Sequence, residues 1–440
     1  MEICYNLFVF INLGCDLMNI SIVETKTIPT IKIEYNNKNI ILHSKYDPIR
    51  EVNAWCKNAI AGLSKQQEVI IIGLGAGYHI KQLSELLPEK KITVVEFNDD
   101  YYRWFKTSPF YEKVYRCINV IVKQYNSLSS TEQQELFTGI SSSNLLIHKS
   151  GLDLIPSKCK KVKEILDDMQ FKKHSIKNQI GNMKANFTYN SQLQDEGIGK
   201  LKNMYGNKPM ILISAGPSLD KQMTLLKRIH KEGKVVLGAV GTALKPLIKN
   251  NITPDFFSII DPNPGTYEQL KNLDLPITTL YYLSTAYHET ITLHTGPRYI
   301  MWQEGYEDAE KKAAQLGDSL IQTGGSVATA LLDLMVYLGA GPLALVGQDL
   351  AFTNGLSHAN YAHAQRDVNE TLATLTTLDY HRTEQVPTAK NLTIYRKWFE
   401  DYALNHGNLE LYNCTEGGAY INHWEHIRLK EFYEKVIYIG

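Results

Sequence analysis

The stretch Met210-Ile211-Leu212-Ile213-Ser214-Ala215-Gly216-Pro217-Ser218-Leu219-Asp220 decides the architecture. Four consecutive apolar residues suit a strand buried on both faces, as a parallel sheet demands. Ser214 to Ser218 then reads as a turn. Gly216 lets backbone approach a ligand, Pro217 stiffens the loop, and Ser218 is a natural N-cap for a helix over 219–230. The N-terminus of such a helix favours negative charge through its unpaired N–H groups and its dipole.

Downstream, the same logic repeats. Strands are expected over 235–238, 256–260, 278–282 and 343–346, with helices between several of them. Their ends carry small or polar residues: Gly241 and Thr242, then Asp261, then Gln348 and Asp349. Thr323, Gly324, Gly325 and Ser326 precede a helix, a combination suited to holding a phosphate. In an open α/β sheet these segments share one edge, where ligands bind.

Upstream lies a second unit of the same kind. Val69–Ile72 is a buried-strand run, Gly73, Gly75 and Gly77 form a tight loop, and Glu96 ends the next strand. A carboxylate there can hold ribose hydroxyls, so a second ligand site is a candidate reading. The competing reading is a Rossmann-like scaffold that binds nothing, and it is preferred because no methyltransferase motif follows over 115–160. The chain is thus expected to be α/β, with two tandem Rossmann-like units. The first occupies 18–156 and a helical linker 157–207. The second occupies 208–365, and 366–440 forms a helical cap with helices at 371–379, 392–404 and 426–436. Residues 1–17 are expected to be poorly ordered or upstream of a true start at Met18.

Composition narrows the function. At 440 residues the chain exceeds one compact core. Its 46 basic and 46 acidic residues balance, which argues against a nucleic-acid partner. The six cysteines contain no Cys-x-x-Cys pair, so neither a zinc site nor a disulfide framework is suggested. The histidines lack ligand spacing and no Asp-x-Asp is present; no metal is expected. The apolar stretch at 3–17 is too short to span a bilayer, and a cytoplasmic protein without membrane insertion is expected.

Taken together, Ser214–Asp220, Thr323–Val327, Gly347–Thr353, Ser357-His358-Ala359 and Thr415–Ala419 resemble the motility accessory factor family, the flagellin glycosyltransferases built around the domain of unknown function 115. His43–Pro48 resembles that family's N-terminal domain. The resemblance implies transfer of a nonulosonic acid, of pseudaminic or legionaminic type, from a CMP donor to Ser or Thr of flagellin, with no further cofactor firmly implied. The motifs are also distantly similar to glycosyltransferase family 42 sialyltransferases, with Ala215 where those have Asn. That likeness implies a donor nucleotide held by Ala215, Gly216, Pro217 and Ser218, and a histidine base.

His358, His363 and His381 are the candidates for that base, and His358 is favoured. Asp349 and Asp261 are further catalytic candidates, although strand-end carboxylates often cap the next turn. Glu416 and Gly417 are expected to close over the sugar. Two alternatives stay open: pyrophosphoryl transfer, as in a similar archaeal pterin diphosphokinase, and S-adenosylmethionine-dependent methyl transfer at the first glycine loop. A degenerate, flagellin-binding protein without activity is a third.

Overall fold

A computed structural model describes residues 9–11, 18–138, 144–368 and 371–439. The chain divides into two compact units, 1–174 and 175–440. Apart from 9–11, the segment expected to be disordered lies outside the described residues.

Unit 1 opens with an antiparallel meander of β1 (Val9–Ile11), β2 (Met18–Val23), β3 (Thr30–Tyr35) and β4 (Lys38–Ile41). Asn36 and Asn37 take left-handed backbone and make the two-residue turn between β3 and β4. A parallel sheet follows, formed by β5 (Glu68–Ile72), β6 (Lys91–Glu96), β7 (Val120–Gln124) and β8 (Leu145–Ile147) in the order β7-β6-β5-β8. The chain reverses its direction of travel between β5 and β8, so the loops leaving these two strands meet.

Helix Lys160–Gln192 runs across the boundary between the units as one element of 33 residues. It is not an inert linker. Asn186 and Asn190 are buried, and their amides donate to Pro262 O, Thr285 O, Ser284 O and Ala286 O at 2.8–3.2 Å. Residues 193–207, expected as linker, also belong to unit 2: Asn203 and Tyr205 N–H donate to Tyr337 O and Leu338 O, both at 3.0 Å. Among the described residues, no helix is long and apolar enough to cross a membrane.

Unit 2 is built on a nine-stranded parallel sheet. Its first six strands step outward from β9 (Lys208–Ile213) through β10 (Val236–Val240), β11 (Phe256–Ile259), β12 (Thr279–Leu283) and β13 (Arg298–Gln303) to β14 (Leu320–Ile321). The chain then crosses back and lays β15 (Ala340–Val346) on the other side of β9. Ile211, Leu212 and Ile213 are fully buried, as are Leu280, Ala344 and Leu345, so the apolar runs do form the two-faced core.

The C-terminal region departs from expectation. Residues 371–379 do not form a helix; β16 (Leu375–Leu378) pairs with β17 (Gln385–Thr388) as a hairpin. Thr376 and Thr377 are β-branched, which favours this outcome. β18 (Leu411–Asn413) and β19 (Glu425–His426) then extend the large sheet beyond β15. Helices Lys390–Asn405 and Leu429–Ile439 are present, so the region is mixed rather than a purely helical cap.

Replacing Asn190 by Ala strands the carbonyls of Ser284 and Ala286 in a buried site. A loss of about 1–3 kcal/mol, partly offset by alanine's helix propensity, is expected in urea denaturation of the variant.

Candidate functional site

In unit 2 the chain reverses between β9 and β15, and the loops leaving these strands are bonded together. Ser214 N–H donates to Val346 O and Gly216 N–H to Gly347 O, both at 2.8 Å. Gly347 has φ +69°, and a Cβ there would overlap Ser214 O, so only glycine fits. Ser214 Oγ also donates to Gln348 Oε1.

Asp349 fixes this junction. Its side chain is wholly buried and accepts Ser218 Oγ at 2.6 Å, Ser218 N–H at 3.3 Å and Thr353 Oγ1 at 2.5 Å. A Cβ on Gly216 would overlap Asp349 Oδ1 and lie 2.6 Å from Gly347 O. Burial raises the carboxyl above its ordinary range, against the pull of Ser218 and Thr353. Both oxygens are engaged, which suits anchoring the loops rather than proton transfer. Ser218 accordingly does not act as a side-chain N-cap; its hydroxyl is committed to Asp349.

Beside this junction is a cleft of about 320 Å³, lined by residues from three strand ends. Ala215 and Gly216 come from the end of β9, Thr242 from the end of β10, and Gln348 to Phe352 from the end of β15. Ser326, Ser357, His358, Arg366, Asn391 and Tyr395 complete the lining. The segment bearing His358 is tethered to the first loop, since Ala359 N–H donates to Ala215 O at 2.8 Å and Asn360 N–H to Asp220.

His358 is half-buried, with Nδ1 3.2 Å from Ser357 Oγ. Burial lowers its pKa first, and His363 and Arg366 add repulsion to a second positive charge. The ring is therefore neutral near pH 7 and able to accept a proton. His363 and His381 are exposed and do not line the cleft. Arg366, Asn391 and Tyr395 carry no motif in the sequence and reach the cleft only through the fold. Arg366 is the permanent cation among the described residues lining it.

Other expected site residues lie elsewhere. Asp261 is exposed and accepts both the N–H and the amide of Asn263 at 2.8 Å, capping its own turn outside the cleft lining. Gly241 and Pro217 are buried behind the wall; a Cβ at Gly241 would overlap Gln269. Thr323, Gly324 and Gly325 miss the cleft as well. A Cβ at Gly324 would lie 2.5 Å from Trp398, and the Ser326 hydroxyl accepts Thr329 N–H as a helix cap. That leaves Ser326 alone of this loop on the cleft. Glu416 does not close over a sugar: it accepts Gln222 at 2.9 Å and Leu429 N–H at 3.1 Å, capping the last helix. Gly417 packs against Ser218, where a Cβ would lie 3.1 Å from Ser218 Cβ.

The first glycine loop is filled by the protein itself. Glu96 is buried and accepts the N–H groups of Leu74, Phe97 and Asn98 at 2.9–3.1 Å, and burial pushes it up to about 7. Gly73 rests on Gly151, and Gly75 on the rings of His43, His79 and His148. Gly77 faces Val114. The backbone that would greet a cofactor ribose is already occupied.

Residues 177–355 match the family model described as 6-hydroxymethylpterin diphosphokinase MptE-like. A search of curated proteins finds no match. Among solved structures, a Maf glycosyltransferase from Magnetospirillum magneticum AMB-1 is similar in fold, with TM-score 0.51 and 15% identity over 93% of this chain and 71% of that one. The α/β architecture and the likeness to the motility accessory factor fold, expected from the motifs, are thereby borne out.

Ser218→Ala deprives Asp349 of its hydroxyl donor at 2.6 Å and is expected to cost about 1–3 kcal/mol in chemical denaturation. The folded pKa of Asp349 lies above its unfolded value of 3.8. Stability from this group is therefore full below the unfolded pKa and lost as pH rises through the folded one. The deficit of Ser218→Ala should consequently be smaller near pH 4 than near pH 7.

Proposed function

We propose that the protein is a glycosyltransferase that moves a nonulosonic acid from a CMP donor to Ser or Thr of flagellin in the cytoplasm. The observation that carries this reading is the cleft at the β9–β15 reversal, with His358 on its wall, in a fold similar to that of a Maf glycosyltransferase. Parallel α/β sheets bind nucleotides at such reversals.

The donor supplies a leaving phosphate that is already stable, so the protein's tasks are positioning, charge stabilisation and removal of one proton. The backbone at Ala215 and Gly216 approaches the nucleotide, with Thr242 and Gln348 beside it. Arg366 opposes charge developing on the departing phosphate. His358 takes the proton from the acceptor hydroxyl as the new C–O bond forms and the bond to CMP breaks. Asp349 acts through the loops it anchors and is a positioning residue.

Pyrophosphoryl transfer from ATP to a hydroxymethylpterin is a second reading, favoured by the MptE-like match over 177–355. One assay separates the two: incubate the protein with flagellin and CMP-nonulosonate, or with ATP and hydroxymethylpterin, and measure product masses. The first reading requires flagellin to gain the nonulosonate mass, and its failure to do so with an acceptor competent for glycosylation overturns it.

His358→Ala should lower kcat by about 10²–10⁴-fold with folding unchanged. In the wild-type protein, the folded His358 pKa lies below the ordinary 6.5. The acid limb of the kcat profile should accordingly fall below that pH and the rate stay level up to neutrality; a limb centred above 6.5 contradicts the assignment. Arg366→Ala should chiefly lower kcat, with a smaller rise in KM, because the charge it opposes develops in the transition state.

A further inference from the structure

We propose that His43, His79 and His148 form a binding site in unit 1 for one divalent transition-metal ion of the zinc class. The three residues are distant in sequence, and the fold brings them to one point. His43 follows β4, His79 lies in the first turn of helix Tyr78–Leu86, and His148 follows β8. One ring nitrogen from each lies within 4.8 Å of the others. Small side-chain rotations bring such a set to the ~2.0–2.1 Å Zn–N distance.

The position in the fold is itself informative. The reversal between β5 and β8 is where a sheet of this order binds ligands, and these rings occupy it. Gly75, at φ +51°, is bare against them: a Cβ there would lie 2.8 Å from His43 Nε2 and 2.9 Å from His79 Cε1. The glycine loop that resembles a cofactor loop thus makes room for imidazoles.

Packing alone explains the cluster poorly. His79 is 1% exposed, yet among the described residues neither of its ring nitrogens has a hydrogen-bond partner of good geometry, the Gly73 backbone offering only a weak one. Each buried unsatisfied polar group costs about 1–3 kcal/mol. A metal ion takes up one nitrogen lone pair of each ring; at His43 this is Nε2, which exchanges the N–H of Ala76, 3.1 Å away, for the ion.

The surroundings fit the same role. Glu51 lies 3.7 Å from His43 Nδ1 and Ser150 Oγ lies 3.2 Å from His148 Nδ1, as outer partners that orient ligand rings do. A cleft of about 410 Å³, walled by His43, Glu51, Ser150 and Asp153 among others, leads from solvent to His43. Bound there, the ion would staple the meander, the glycine loop and the end of β8 together.

The test uses the full-length chain without a polyhistidine tag, stripped with a chelator and titrated with Zn²⁺. Calorimetry and elemental analysis should give one ion per chain. His79→Ala and His148→Ala should each weaken binding by more than about 100-fold, beyond the 10–100-fold typical of an outer partner such as Glu51→Gln. His358→Ala should leave it unchanged. A wild-type chain that takes up no zinc overturns the proposal, as does full binding by folded His79→Ala and His148→Ala variants. If those variants do not fold, X-ray absorption of the zinc-loaded wild type decides: three imidazole ligands support the site, and any other number overturns it.

Discussion

The carboxylate of Asp349 sits where unit 2 changes direction, and the cleft is arranged around it. A buried carboxylate is costly unless its oxygens are met, and here Ser218 and Thr353 meet them. Satisfying this one group fixes the β9 loop against the β15 loop. It also explains Gly216, which has no space for a Cβ, and the positive φ of Leu350 that lets the chain turn away afterwards. The cleft beside Asp349 is therefore a rigid feature, held by a group that does not itself need to react.

Unit 1 repeats the topology with different filling. Both sheets are parallel and reverse beside the strand preceding a glycine-bearing turn. In unit 2 the reversal leaves an open cleft; in unit 1 it is packed with imidazoles, and Glu96 is consumed by loop N–H groups. The contrast shows why a glycine loop alone says little about a ligand. What decides is which side chains other segments deliver to it.

The sequence was legible where physics is local. Runs such as Ile211–Ile213 and Ile70–Ile72 can satisfy only a two-faced sheet, and the strands are found there. β13 and β18 were missed: Arg298–Gln303 mixes charge, aromatic and apolar residues, and Leu411–Asn413 is too short to show a period. Motif residues were harder to place than motifs. Thr323–Gly325 carries a phosphate-like signature, but Trp398 lies over Gly324, and no local rule foretells that. Arg366 and Tyr395 were invisible because only tertiary structure moves them to the cleft. The histidine trio escaped for the same reason, since ligand spacing rules describe neighbours along a chain.

The placement of β18 has a consequence for synthesis. This strand pairs with β15, and Gln348 N–H donates to Thr415 Oγ1 just beyond it. Ala419 N–H, further on, donates to Asp349 O. Residues just beyond β18 thus hold the β15 loop that walls the cleft. A ribosome-bound chain emerging from its N-terminus can build unit 1 and most of the large sheet while the cleft still lacks this support. A chain cut short before β18 keeps the motifs upstream of it but loses Thr415–Ala419 and the bonds that hold the β15 loop.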